Sequence, residues 1–226
     1  MRKYKIIIIL LSLIGLRTEA QNFTVWNFKN PVTSKNKIGF GAMYNSTIYA
    51  GVGYARIVKL GKNSDRVAAI QFEIASPVYL LDSRNKDFYF FGSTYLLNTP
   101  FDIKASLGTQ LKMYEDVIAT GNASFASISL NPGYYRANFY FATEISWKSN
   151  ISTSFNFNEV MYPDIPNTTL YHTTQNLSLG LNAGMCLHDK MEISLSGIYQ
   201  ISAVTFANYH PYTQNIGVSL SVNYSF

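Results

Sequence analysis

At 226 residues the chain suits one domain or one barrel. Only 14% of its residues are charged, 47% are hydrophobic and 15% aromatic, a balance that argues against both an ordinary soluble surface and disorder. The net charge of +5 drops to +2 once Arg2, Lys3, Lys5, Arg17 and Glu19 leave with an amino-terminal leader, so a nucleic-acid-binding patch has no support.

That leader is read from Met1–Lys5, a basic start, followed by the apolar run Ile6–Leu16 and by Thr18-Glu19-Ala20 before a cleavage point. The run is shorter than the roughly 20 residues a membrane-spanning helix needs. The expected organisation is therefore a signal peptide over residues 1–20, a periplasmic amino-terminal lead over 21–36, and a barrel over 37–226. The lead is polar, with Trp26, Phe28 and Pro31. No later apolar run is long enough for a transmembrane helix, so a membrane-spanning mature chain must cross with strands.

From Lys37 onward apolar and polar residues alternate, the period of a strand with two unlike faces. Ile38–Tyr44 and Ile48–Val58 read as a hairpin around Asn45-Ser46-Thr47. Val67–Tyr79 follows, with Ala68, Ile70, Phe72 and Ile74 opposed by Gln71 and Glu73. Phe88–Leu97 is an aromatic strand whose faces the pattern does not separate. Phe101–Tyr114 has an oily side (Phe101, Ile103, Ala105, Leu107, Leu111, Met113) and a polar side (Asp102, Lys104, Ser106, Gly108, Gln110, Lys112).

Ala123–Tyr135 is interrupted at Asn131-Pro132-Gly133, which puts proline near a strand end or bulge. Phe139 to Trp147 forms the next strand, and Ser149–Thr174 a long connection. Leu177–Leu187 turns through His188-Asp189-Lys190 into a strand running from Met191 to Tyr199. Thr205–Thr213 is the last loop. The closing stretch, Gln214–Phe226, sets Ile216, Val218, Leu220, Val222, Tyr224 and Phe226 against an uncharged Gly, Ser and Asn face. Soluble surfaces are rich in Lys and Glu, so this polarity fits lipid on the oily side and a lumen on the other.

The expected fold is all-β: an antiparallel up-and-down transmembrane β-barrel of about ten strands, with eight as the alternative. Turns at 60–66, 98–100, 136–138 and 188–190 fall on the side of Phe226, and longer connections on the other. Short periplasmic turns, long external loops and an even strand number are the pattern of bacterial outer-membrane barrels. With the leader, the tight Asp-Lys turn and the aromatic terminus, residues 37–226 resemble the small outer-membrane β-barrel superfamily, including OmpA/OmpX-type and OmpW-type porin-family barrels. Val222, Tyr224 and Phe226 resemble the carboxy-terminal signal read by the barrel-assembly machinery. That resemblance implies an architecture, not an activity.

Tyr44, Tyr79, Tyr114, Trp147 and Tyr199 are expected at interfacial girdles. Gly51, Gly53, Ser106, Gly108, Gly180, Gly184, Gly217, Ser219 and Ser221 face the lumen, either leaving a water-filled path, easing strand packing, or seating large residues from other strands. The inward charges are Glu73, Asp102, Lys104, Lys112, Glu144 and Glu192. Pairing across the lumen is their default, with a breakable Lys104–Glu144 constriction as the functional version.

No catalytic site is expected. His172 and His210 lie near Ser178, Thr213, Glu159 and Asp164 without a nucleophile–base–orienter spacing, and Gly-x-Ser-x-Gly is absent. Those two histidines make no metal site, Cys186 is the only cysteine, and no cofactor is implied. Loop aromatics Phe155, Phe157, Tyr162, Tyr171, Phe206, Tyr209 and Tyr212 are candidates for contacting a partner, a sugar or an apolar solute. The expected function is a non-enzymatic outer-membrane barrel with a porin-like or structural role. Its expected partners are outer-membrane lipid, the assembly machinery, and a small solute or an envelope protein. An accessory subunit of an envelope assembly is the alternative, and a lipid-modifying enzyme the least favoured reading.

Overall fold

The structure, a computed structural model, describes residues 27, 35–45, 47–60, 67–78, 85–97, 99–115, 119–157, 166–171, 174–188, 190–205 and 216–226. Ten long strands follow one another: β1 (Asn36–Asn45), β2 (Thr47–Lys59), β3 (Val67–Pro77), β4 (Lys86–Tyr95), β5 (Phe101–Glu115), β6 (Ala119–Tyr135), β7 (Phe139–Phe157), β9 (Thr174–His188), β10 (Met191–Thr205) and β11 (Ile216–Ser225). A short β8 (Thr168–Tyr171) sits between β7 and β9 in sequence.

Each long strand pairs antiparallel with the next, and β1 pairs with β11 from Lys37↔Ser225 to Tyr44↔Val218, so the sheet closes. The Phe226 N–H donates to the Asn36 carbonyl at 3.0 Å and ties the seam at the barrel's terminal end, the end that carries Phe226. Closure removes the free edges that would leave backbone amides unpaired in hydrocarbon. β8 is not a stave; it pairs with the far end of β7, from Ser152↔Tyr171 to Phe155↔Thr168.

The alternation decides which side faces in. On β11 every second residue is buried, and Ile216, Val218, Leu220, Val222 and Tyr224 point out. The same parity exposes Phe40, Ile70, Phe90, Leu107, Phe141, Leu181 and Leu195 on seven other strands. The buried inward positions are filled largely by Ser, Asn, Gln and charged side chains. The barrel is thus apolar outside and polar inside, the reverse of a soluble protein.

Several local expectations change. In β4 the faces separate: Tyr89, Phe91 and Tyr95 are buried inside, whereas Phe88 and Phe90 lie on the outer face. Tyr114 is no girdle residue, because its even position in β5 aims it inward, where its hydroxyl donates to the Ser154 carbonyl at 2.5 Å. Trp147 points outward but from the middle of β7. β6 runs through Pro132, which pairs with Ile103 of β5, but the expected interruption appears on the other side, where neither Asn131 nor Pro132 pairs with β7.

The connection expected from Ser149 begins only after Phe157. A bulge opposite Ser124 and Phe125 adds one residue to β7 and reverses its alternation. Phe155 and Phe157 therefore pack inside the lumen instead of standing in a loop. Tyr79, Tyr162, Phe206, Tyr209 and Tyr212 lie outside the described residues, as does the leader.

Candidate functional site: the barrel lumen

All six charges assigned to the lumen from sequence lie on inward positions: Glu73, Asp102, Lys104, Glu144 and Glu192 are buried, and Lys112 is half-buried near the loop end. Lys37, Asp87 and Lys148 join them. The structure thus brings four lysines and five carboxylates into one interior, nearly balanced in charge.

At the terminal end the wall contributes Lys37 from the start of β1 and Glu192 from the start of β10. Lys37 Nζ and Glu192 Oε2 form an ion pair at 3.3 Å with both side chains buried. Asn27, from the lead, sits between them with every polar group engaged. Its N–H donates to Glu192 Oε1 at 3.3 Å, and its Nδ2 to the Arg136 carbonyl at 2.7 Å. Its carbonyl accepts from Lys37 Nζ at 2.6 Å, and its Oδ1 from the Tyr95 hydroxyl at 3.1 Å. One residue thereby ties β1, β4, β10 and the β6–β7 turn together across the mouth.

Around this cluster Tyr95, Tyr135 and Tyr140 form an aromatic wall. Tyr95 meets Tyr135 edge-on at 5.0 Å, and Tyr135 stacks on Tyr140 at 5.9 Å. Ala55, Ala69 and Ala142 complete the layer. One step further in, Lys104 of β5 lies within electrostatic reach of Glu144, Glu192 and Glu73, on three other strands. Glu144 Oε2 accepts from Asn182 Nδ2 at 2.8 Å and from Asn131 Nδ2 at 3.2 Å. Lys104 thus faces three carboxylates, with Glu144 among them.

Asp102 has a different role. Its Oδ1 accepts from the backbone N–H groups of Leu96, Leu97 and Ile103 at 2.7–3.1 Å, which locks the β4–β5 turn. Toward the loop end Asp87 faces Lys148, whose ammonium lies 4.5 Å from the Phe125 ring centre. Met43, Tyr49, Tyr89, Phe91 and Ile198 pack beside them.

Three inward glycines serve as seats for rings. Phe91 lies opposite Gly108, Tyr114 opposite Gly121, and Tyr140 opposite Gly184. In each case a Cβ on the glycine would collide with the ring of its cross-strand partner. Of the readings open for the small inward residues, the room-for-rings reading holds at Gly108 and Gly184. Neighbouring hydroxyls pair instead, as Ser194 with Ser221 at 2.7 Å and Ser93 with Ser106 at 2.9 Å.

Four contributors went unnoticed in sequence. Lys37 and Lys148 follow the alternation from Ile38 and Trp147 and were accessible to it. Asp87 reads as turn charge, and nothing in a polar lead marks Asn27. His172, His210, Thr213, Glu159 and Asp164 lie outside the described residues, and Ser178 is buried on the lumen side of β9. Among the described residues no group of three or more His, Cys, Asp or Glu side chains could hold a metal. Val222, Tyr224 and Phe226 all stand on the outer surface.

Fold and lumen define the class: an up-and-down barrel with an apolar exterior and a polar interior, the architecture of the small outer-membrane barrels. No protein-family model matches the chain, and no curated protein does. Among solved structures it is similar to Ail, the attachment invasion locus protein of Yersinia pestis, at 11% identity over 85% of this chain and 99% of that one, with a TM-score of 0.39. The outer membrane protein Omp33 of Acinetobacter baumannii is 6% identical over 85% of this chain and 98% of its own, TM-score 0.39. The KdgM porin is 6% identical over 84% and 99%, TM-score 0.41. At such values the barrel assignment rests on the closed ladder itself.

Proposed function

We propose that the protein is a non-enzymatic barrel of the bacterial outer membrane whose lumen is closed at rest, with a structural role in that membrane. The observation that carries this reading is Asn27, held in the terminal mouth by four hydrogen bonds, with Glu192, Lys37, Tyr95 and the Arg136 carbonyl. A passive pore keeps its inward side chains wet, whereas here Glu73, Tyr89, Ser146 and Asn223 are all at most 1% exposed. The apolar exterior supports the membrane, and the outward Val222, Tyr224 and Phe226 suit a signal offered to the assembly machinery. Signal-peptide cleavage before Gln21 and a periplasmic terminal end belong to the same proposal.

The test is planar-bilayer recording on the chain from Gln21 onward, refolded in detergent. A folded, inserted and electrically silent barrel is the expected result. Steady current in discrete steps would overturn the closed reading and favour solute passage.

A further inference from the structure

On the outer surface of the terminal end, the wall between β6 and β7 carries a break. Leu130 pairs with Ile145 and Gly133 with Ala142, but no pair joins the residues between them. Pro132 has no N–H to give, and Thr143 Oγ1 donates to the Pro132 carbonyl at 3.2 Å. An open groove of about 470 Å³ lies over this break, walled by Leu97, Phe101, Ile103 and Phe141. Asp102 also borders it, but its Oδ1 is held by three backbone N–H groups.

The groove has a polar mouth. Tyr134 lines it, packed edge-on against Phe101 at 4.9 Å and tilted against Phe139 at 5.6 Å. Over the Tyr134 ring lies the exposed Arg136, its guanidinium 5.5 Å from the ring centre and its Nε donating to the Tyr134 hydroxyl at 2.6 Å. That bond engages Nε of an exposed side chain and leaves its two terminal nitrogens for another partner. Passing from the mouth inward, the order is cation, amphipathic ring, apolar trough.

A phospholipid has the matching order of phosphate, interfacial ester and acyl chain, and a guanidinium suits a phosphate with two parallel hydrogen bonds. We propose that this groove is a specific site for one anionic phospholipid of the leaflet at the terminal end, its acyl chain over the Pro132 break and its phosphate on Arg136. The proposal rests on the membrane reading above and adds to it a selected lipid in place of an interchangeable annulus.

The experiment is native mass spectrometry of the chain from Gln21 onward, released by mild detergent from equimolar phosphatidylglycerol and phosphatidylcholine vesicles. One retained phosphatidylglycerol per barrel is expected. Arg136→Gln should lower its occupancy about tenfold, as loss of a charge-assisted pair implies. Arg56→Gln, an exposed outward arginine on β2 at the same end, should leave it unchanged. Thr143→Trp, which fills the trough, should abolish retention of either lipid while the barrel keeps the gel mobility of a folded species. Equal retention of both lipids, or none in the wild type, would overturn the site while leaving the membrane reading intact. Failure of the wild-type chain to insert into the vesicles would overturn the membrane reading instead.

Discussion

Lys37 and Glu192 show what a charge in this interior depends on. Each is nearly sealed from water, so neither is stable without the other and without the Asn27 groups that fill their remaining sites. Removing one partner from a buried pair costs roughly 3–5 kcal/mol, because the survivor is left uncompensated, whereas replacing both with apolar side chains is often neutral. Lys37→Met alone should therefore destabilise the barrel strongly, and Lys37→Met with Glu192→Leu much less. Urea unfolding of the refolded barrel, followed by tyrosine and tryptophan fluorescence, measures both. If the double variant is as unstable as the sum of the single ones, the two side chains are not coupled as drawn.

At the scale of the strand, the determinant is which residue lies directly opposite which. Tyr140 on β7 and Gly184 on β9 are a cross-strand pair, and the tyrosine ring occupies the space a Cβ would take. The obstruction is side chain, not backbone, so it should be reversible. Gly184→Ala is expected to destabilise by about 1–3 kcal/mol through overpacking, and adding Tyr140→Leu should recover part of that loss. The same unfolding assay applies, and a Gly184→Ala variant as stable as the wild type would show that the ring is free to move aside. Gly108 differs, because the Phe90 carbonyl as well as the Phe91 ring lies close to its would-be Cβ. Trimming Phe91 should therefore rescue Gly108→Ala less well.

These pairings also explain what was legible in the sequence. The parity of Phe101–Tyr114 and of the closing strand was plain because one face is apolar and the other is not. The inward charges Asp102, Lys104 and Lys112 followed from that parity, and Glu73, Glu144 and Glu192 from the same alternation in their own strands. In β4 both faces are aromatic, so composition carries no direction, and only its neighbours make Tyr89 inward and Phe90 outward. In β7 the bulge near Asn150 inverts the parity without a glycine or proline to mark it, which hid Phe155 and Phe157. Ring-on-glycine seating depends on register, a relation between strands that no single strand displays. Asn27 was hidden for a further reason: its partners lie 10, 68, 109 and 165 residues away.

For the whole molecule the deciding question is which medium meets the outside. Closure of the ladder is compatible with water on either side, but the exterior is not: Leu107, Leu181, Leu195 and Phe141 are each more than half exposed on successive parts of one surface. In water such a band would drive aggregation, whereas in hydrocarbon its exposure costs nothing. Trp147 reports on this directly, since it points outward from the middle of β7 between Ile128 and Leu177. The chain has two tryptophans, so Trp26→Phe leaves Trp147 as the only indole fluorophore. In vesicles of lipids brominated midway along their acyl chains, emission from this variant should be strongly quenched and blue-shifted, and aqueous iodide should have little effect. Strong iodide quenching with no response to bromine would place this face in water and reverse the inside-out reading of the barrel.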